Sequence, residues 1–262
     1  MCGLAGWFGL NLPERDKQEE LFRLLMRKAQ IRGTDSFGVA YAHAFEPRVH
    51  RALGPASKWL AKDRKRVRRV SRSSIVVGHT RAASRGDVCI GNAHPFRVGE
   101  WIGAHNGCLQ NSGELMVAAR YAPRGETDSE EALAWLATEG FTPMAFRELR
   151  GWYAMTILKN DGTELLIAVD GRTPLAIVRV GGGVVWHSLA MALETSLAAV
   201  GIKAPVEEVK NQILRFPSGE MADLAAKIPT TGSWPDEAVE SARVREMLDE
   251  QEGLQLEFGG DA

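Results

Sequence analysis

Cysteine is scarce in this sequence: Cys2, Cys89 and Cys108 are the only three in 262 residues. They are far apart and form no CxxC pair. An odd, dispersed set argues against a disulfide framework and against a zinc site of clustered thiolates. It fits a reducing, cytoplasmic compartment. Net charge is also small, −1 at pH 7, so nothing draws the whole chain to nucleic acid or a membrane surface. No apolar run approaches the roughly 20 residues of a membrane-spanning helix. The opening MCGLAGWFGL is apolar but has no basic leader, and it is not read as a signal peptide. Cys2 lacks the context of a lipid anchor. No P-loop or other nucleotide fingerprint occurs, and no cofactor is expected.

What is present is ordinary globular material, 45% hydrophobic. A chain of this size buries roughly three-quarters of its unfolded surface without a staple. Residues 1–10 read as a buried strand. In Glu19–Ile31, Leu21, Leu24, Leu25 and Lys28/Ala29 fall at helical spacing, which predicts an amphipathic helix. Arg32–Ala40 reads as a turn feeding a strand, Lys58–Arg72 as one strongly basic helical stretch, and Ile75–His79 as an apolar strand. Trp101–His105 reads as a strand ending at the turn-prone pair Asn106-Gly107. Ser129–Thr138 reads as a helix capped by Thr127 or Asp128. Strands come next at Trp152–Leu158, Glu164–Asp170, Ala176–Val180 and Val184–His187, then a helix at Ala190–Val200. Glu207–Phe216 is ambiguous, and a last short strand is expected near Glu220–Leu224. Hairpin-like strand pairs mixed with helices favour antiparallel sheets carrying helices over a doubly wound parallel fold.

Cys2 is the first residue with chemical interest. Loss of Met1 would leave it with a thiol and a free α-amine. An α-amine has a pKa of about 8 and serves as a base near neutral pH. By position alone, Cys2 is more simply a small buried apolar residue. Alone, Asn106-Gly107 is a hairpin turn, Asp128 a helix cap, and Arg81 a partner for any carboxylate. His79, His94 and His105 lie on separate segments without metal-ligand spacing, and no metal is expected.

Taken together, these segments say more. MCGLAGWFG, Arg32–Ala40, His79–Gly86 (HTRAASRG), Asn92–Phe96 (NAHPF), His105–Asn111 (HNGCLQN) and Glu126–Glu130 (ETDSE) occur in an order that resembles the class II glutamine amidotransferases. The opening is similar to the glutaminase domain of asparagine synthetase, and the later series to that of glucosamine-phosphate synthase. The resemblance runs from Met1 to about Leu224. It implies an α+β fold, the four-layer αββα sandwich of the N-terminal-nucleophile hydrolases. It implies Cys2 as nucleophile, with Asn106 and Gly107 as the oxyanion hole. Arg81 would hold the glutamine α-carboxylate, Asp128 the α-ammonium, and Ser84 and His94 complete the substrate side. Ala82, Ser84 and Arg85 depart from what many relatives carry there.

The resemblance also bears on partners. Residues 1–228 are expected to form the glutaminase domain, and 229–262 a linker, an acidic helix (Asp236–Glu252) and a flexible tail. The stretch beyond the matched region is too short for a synthase domain. The expectation is therefore a glutaminase subunit that supplies ammonia to a separate synthase or acceptor subunit, with the acidic helix either a docking element or a solvated face. Two alternatives stand: hydrolysis of other γ-glutamyl amides, and a non-enzymatic glutamine-sensing scaffold. The basic stretch reads as a solvated face more readily than as a nucleic-acid contact.

Overall fold

The computed structural model describes residues 1–43, 46–218 and 226–227. The chain divides into two units, Met1–Thr230 and Thr231–Ala262. The linker, the acidic helix Asp236–Glu252, the tail and the strand expected at Glu220–Leu224 lie outside the described residues.

In chain order, β1 (Gly3–Phe8) is followed by α1 (Arg15–Ala29) and a 3-10 turn, Gln30–Arg32. Next come β2 (Ser36–His43), β3 (Glu46–Leu53), α2 (Ala56–Lys62), α3 (Arg64–Ser71) and β4 (Ile75–Arg81). A segment without regular structure then leads to β5 (Phe96–Val98), β6 (Trp101–Leu109), α4 (Ser112–Ala118), α5 (Asp128–Glu139) and α6 (Pro143–Arg147). The remaining elements are β7 (Gly151–Lys159), β8 (Glu164–Val169), β9 (Ala176–Val180), β10 (Gly183–His187), α7 (Ala190–Ala199), β11 (Glu207–Glu208), β12 (Gln212–Pro217) and β13 (Ala226–Lys227).

The strands form two antiparallel sheets, β11-β9-β10-β1-β4-β2-β3 and β13-β12-β8-β7-β6-β5. Side chains alternate across a strand, and that alternation builds the layers. In β1, Leu4 and Phe8 point between the sheets, where they meet Ala40 and Val77 of their own sheet and Ile102, Ala154, Leu158 and Ile167 of the other. Ala5 and Trp7 point outward onto Leu21, Phe22 and Leu25 of α1 and Leu193 of α7. On the far side, Tyr153, Met155 and Ile157 of β7 carry Leu133 and Leu136 of α5 and Phe146 of α6. Each such fully buried side chain contributes about 1.5–3 kcal/mol of transfer free energy. The result is the expected four-layer αββα sandwich.

Three local expectations change. The first helix begins earlier, at Arg15, and its buried face is Gln18, Leu21, Phe22, Leu25, Met26 and Ala29, with Leu24 at the flank. The basic stretch is two helices, not one: Asp63 interrupts it and caps α3, its side chain accepting from the Arg66 backbone N–H at 3.0 Å. Val67 and Val70 anchor α3 to the core, and the basic side chains face outward. The Asn106-Gly107 pair is not a turn. β6 runs through it, with Asn106 opposite Ala154 and Gly107 opposite Tyr153. Pairing with β7 along the whole strand outweighs the local turn preference.

Candidate active site

The site is built at the ends of β1, β4 and β6. β1 lies between β4 and β10, so its first residues are held from both sides: Gly3 pairs with Thr80, and the Leu4 N–H donates to Ser188 Oγ at 2.9 Å. Gly3 is required by a close approach. A Cβ there would stand 2.3 Å from the Ala29 carbonyl oxygen at the end of α1. Arg32, buried in the turn after α1, donates from Nε to the Cys2 carbonyl at 2.8 Å. Cys2 is thereby fixed at the mouth of the sandwich. Arg32 falls within one of the sequence motifs, but the motif alone assigns it no role.

The Cys2 nitrogen donates to Asn106 Oδ1 at 2.9 Å. Asn106 is buried, and its Nδ2 has no hydrogen-bond partner among the described residues. The Cys2 thiol lies 3.5 Å from the Ala82 carbonyl oxygen. Burial pushes the thiol above its ordinary range, opposed by backbone hydrogen bonding at Ala82 and by the positive charges of the chain terminus, Arg81 and Arg32. A thiol held in its neutral form needs a base close by to become a nucleophile. Gly107 adopts φ 151°, and a Cβ there would sit 2.1 Å from the Trp152 carbonyl oxygen, so only glycine fits.

Arg81 ends β4 and is buried. Its guanidinium donates to the backbone carbonyls of Arg85 at 2.5 Å, Asp87 at 2.9 Å and Gly86 at 3.3 Å, fastening the 82–91 segment. Asp128 is the first residue of α5. Thr127, not Asp128, caps that helix, accepting from the Glu130 N–H. Asp128 is thus turned to the end of β6, where it accepts the Leu109 N–H at 2.8 Å. Ser84 lies exposed on the 82–91 segment.

The histidines form a buried frame. The His94 ring stacks on His79 with centroids 4.0 Å apart, and His79 Nε2 lies 3.1 Å from the His105 carbonyl oxygen. His105 Nδ1 meets Ser129 Oγ at 2.9 Å. Burial lowers His79 to about 3 and holds His94 well below its ordinary value, so both are neutral. The His94 ring packs on His79 and Phe96. Among the described residues no group of three or more His, Cys, Asp or Glu is arranged to hold a metal ion, and no helix is long and apolar enough to cross a membrane.

Structure therefore brings Cys2 and Asn106 into direct contact, with Gly107 next in the strand. Arg81 ends the neighbouring strand β4 and holds the 82–91 segment, and Asp128 lies at the end of the Asn106 strand. Ser84 stays at the surface and His94 in the frame.

A family model described as glutamine amidotransferases class-II matches residues 20–171. The chain is 33% identical over 193 residues to the glutamine–fructose-6-phosphate aminotransferase (isomerizing) of Acinetobacter baylyi, covering 68% of this chain and 29% of that protein. The enzyme of the same name from Bartonella henselae is 30% identical over 189 residues, 68% of this chain and 30% of that protein. The chain thus spans less than a third of the length of these relatives. Among solved structures, it is similar to glutamine phosphoribosylpyrophosphate amidotransferase from B. subtilis in complex with ADP and GMP, with TM-score 0.66, 21% identity, and coverage of 88% of this chain and 50% of that one. A glutamine aminotransferase class-II domain protein from Silicibacter pomeroyi matches with TM-score 0.53 and 18% identity over 87% of this chain and 100% of that one. These two speak to the fold alone. With the family model covering more than half of its length, the chain belongs to the class-II glutamine amidotransferases.

Proposed function

We propose that this chain hydrolyses the side-chain amide of glutamine through a Cys2 thioester and supplies the ammonia to an acceptor site on a separate polypeptide. The family match begins at residue 20, so the role of Cys2 rests on its geometry. The observation that carries it is the contact with Asn106. The Asn106 amide spends its oxygen on the Cys2 nitrogen and keeps a buried Nδ2 donor unpaired. A buried unpaired donor costs about 1–3 kcal/mol. It is offset when negative charge develops on a bound substrate oxygen, the condition of an oxyanion hole.

The steps derive from these groups. Removal of Met1 converts the Cys2 nitrogen into an α-amine with a pKa of about 8. That amine, oriented by Asn106 Oδ1, takes the thiol proton, and an S–C bond forms at the glutamine side-chain carbonyl. Asn106 Nδ2 and the Gly107 N–H hold the oxyanion. On collapse the C–N bond breaks, and the α-ammonium returns its proton so that ammonia leaves. Water then attacks the thioester, the S–C bond breaks, and glutamate departs with the thiol restored.

Arg81 and Asp128 read the α-carboxylate and α-ammonium. A guanidinium fork pairs a carboxylate through two parallel hydrogen bonds, so substrate binding exchanges some of the carbonyls that Arg81 now holds. Ser84 lies on the same segment and adds a hydroxyl there, while His94 supports the pocket from behind.

The test is mass spectrometry after exposure to the glutamine mimic 6-diazo-5-oxo-L-norleucine. One adduct on an N-terminal Cys2, blocked by excess glutamine, is the expected result. No adduct on a correctly processed chain overturns the reading in favour of another γ-glutamyl amide or a non-enzymatic sensor. The acceptor is expected to co-purify with the chain from its own cells. An ammonia-consuming activity in the same polypeptide overturns that part.

A further inference from the structure

The 82–91 segment that leaves β4 is fastened from within and from outside. From within, Arg81 holds the carbonyls of Arg85, Gly86 and Asp87. Asn92 Nδ2 adds a bond to the Asp87 carbonyl at 3.0 Å. At its start, the Ala83 N–H donates to Asp35 at 2.7 Å. The Arg85 side chain reaches in the other direction, across to the second sheet's helices. Its NH1 donates to Ser112 Oγ of α4 at 2.7 Å, and its NH2 lies 3.7 Å from Glu131 Oε2 of α5.

Glu131 is an unusual partner. Its side chain is 8% exposed, against 46% for Arg85, and Oε2 accepts no hydrogen bond among the described residues. A buried carboxylate is costly unless a cation faces it, and Arg85 is the cation that does. The pair lies beside the expected amino-acid end of the pocket: Asp128 and Arg85 both act electrostatically on the Cys108 thiol, from opposite signs. Asp128 and Glu131 are one helical turn apart on α5.

On the proposed glutaminase reading, Arg81 must give up backbone carbonyls to take the substrate carboxylate. The middle of the segment then loses its inner fastening at the moment it should cover the substrate. We propose that Arg85 is the positioning residue that keeps the 82–91 segment closed over the bound amino acid, with Glu131 and Ser112 as its anchors, and that this contact sets the affinity for glutamine rather than the rate of its chemistry.

Two measurements on the full-length processed chain separate this proposal from the reading it rests on. The first is hydrogen–deuterium exchange of residues 82–91 in wild type, Glu131→Gln and Arg85→Ala, which needs no turnover. Exchange is expected to quicken about tenfold in both variants, equivalent to about 1.4 kcal/mol of lost closure. The second is glutaminase kinetics. KM is expected to rise about tenfold with kcat within about twofold of wild type, the pattern of lost binding without lost transition-state stabilisation. Arg85→Lys is expected to recover part of the affinity.

Unchanged exchange overturns the closure role whether or not the enzyme turns over. Quickened exchange with an unchanged KM overturns the link to affinity. A joint fall of kcat and melting temperature also overturns it, as a merely structural defect. A wild-type chain without glutaminase activity whose segment still responds to Glu131→Gln sinks the glutamine reading and leaves the tether standing.

Discussion

The Cys2 nitrogen and the Asn106 side-chain oxygen meet at 2.9 Å, although the two residues are 104 positions apart. One side-chain amide thereby serves two ends. Its oxygen orients the group proposed as the base, and its nitrogen is left unpaired in a buried position.

Replacing Asn106 with Ala removes both functions. On the proposed reaction, kcat is expected to fall about 10²–10³-fold, the usual loss for one oxyanion donor, with a smaller change in KM. Steady-state ammonia release checks this. A kcat within a few-fold of wild type removes Asn106 from the chemistry.

Cys2→Ala and Cys2→Ser are expected to abolish turnover, whereas Cys89→Ala and Cys108→Ala are not. A chain that retains Met1 is expected to be inactive, because its Cys2 nitrogen is then a peptide N–H and no base. Intact-mass measurement of the N-terminus alongside the activity assay decides it. Full activity with Met1 in place excludes the α-amine mechanism.

Gly107→Ala places a Cβ 2.1 Å from the Trp152 carbonyl oxygen at φ 151°. The backbone of β7 has nowhere to retreat, since it is paired along its length with β6. A loss of about 3 kcal/mol is expected, read as a lower urea midpoint. Equal stability would mean that β6 shifts freely against β7.

Acid should destabilise the fold through its buried histidines. His79 and His187 are lowered to about 3 by burial, and His94 lies well below its ordinary value. Unfolded, each binds a proton near pH 6.5. Between that pH and about 3 the unfolded state holds protons that the folded state refuses, so stability falls as pH drops through this window. The slope approaches about 1.4 kcal/mol per pH unit for each such histidine. Urea unfolding near pH 7 and near pH 5 measures it. His187→Gln is expected to flatten the dependence; an unchanged slope would show that His187 is protonated in the fold.

Much of the site was legible because its residues sit in short, contiguous motifs. HTR, NAHPF, HNG and ETD each place their candidate residues within a few positions. The wrong readings also have local causes. Asn106-Gly107 has the composition of a turn, and only the β7 strand beside it makes it extended. The basic stretch reads as one helix until Asp63 is seen capping the second. Arg32 and the Arg85–Glu131 pair were missed because nothing near them in the chain announces the partner.

The sequence alone determined the class of antiparallel sheets carrying helices, through hairpin-like strand pairs and amphipathic helices, and the family, through the order of its motifs; the two-sheet sandwich followed only from that resemblance. Those are properties of residues a few positions apart, where period and composition act. Only the tertiary structure decided that Cys2 meets Asn106, that Arg81 holds a loop's carbonyls, and that Glu131 faces Arg85. Such contacts join distant segments, and they are fixed by strand register and sheet packing, which no local pattern encodes.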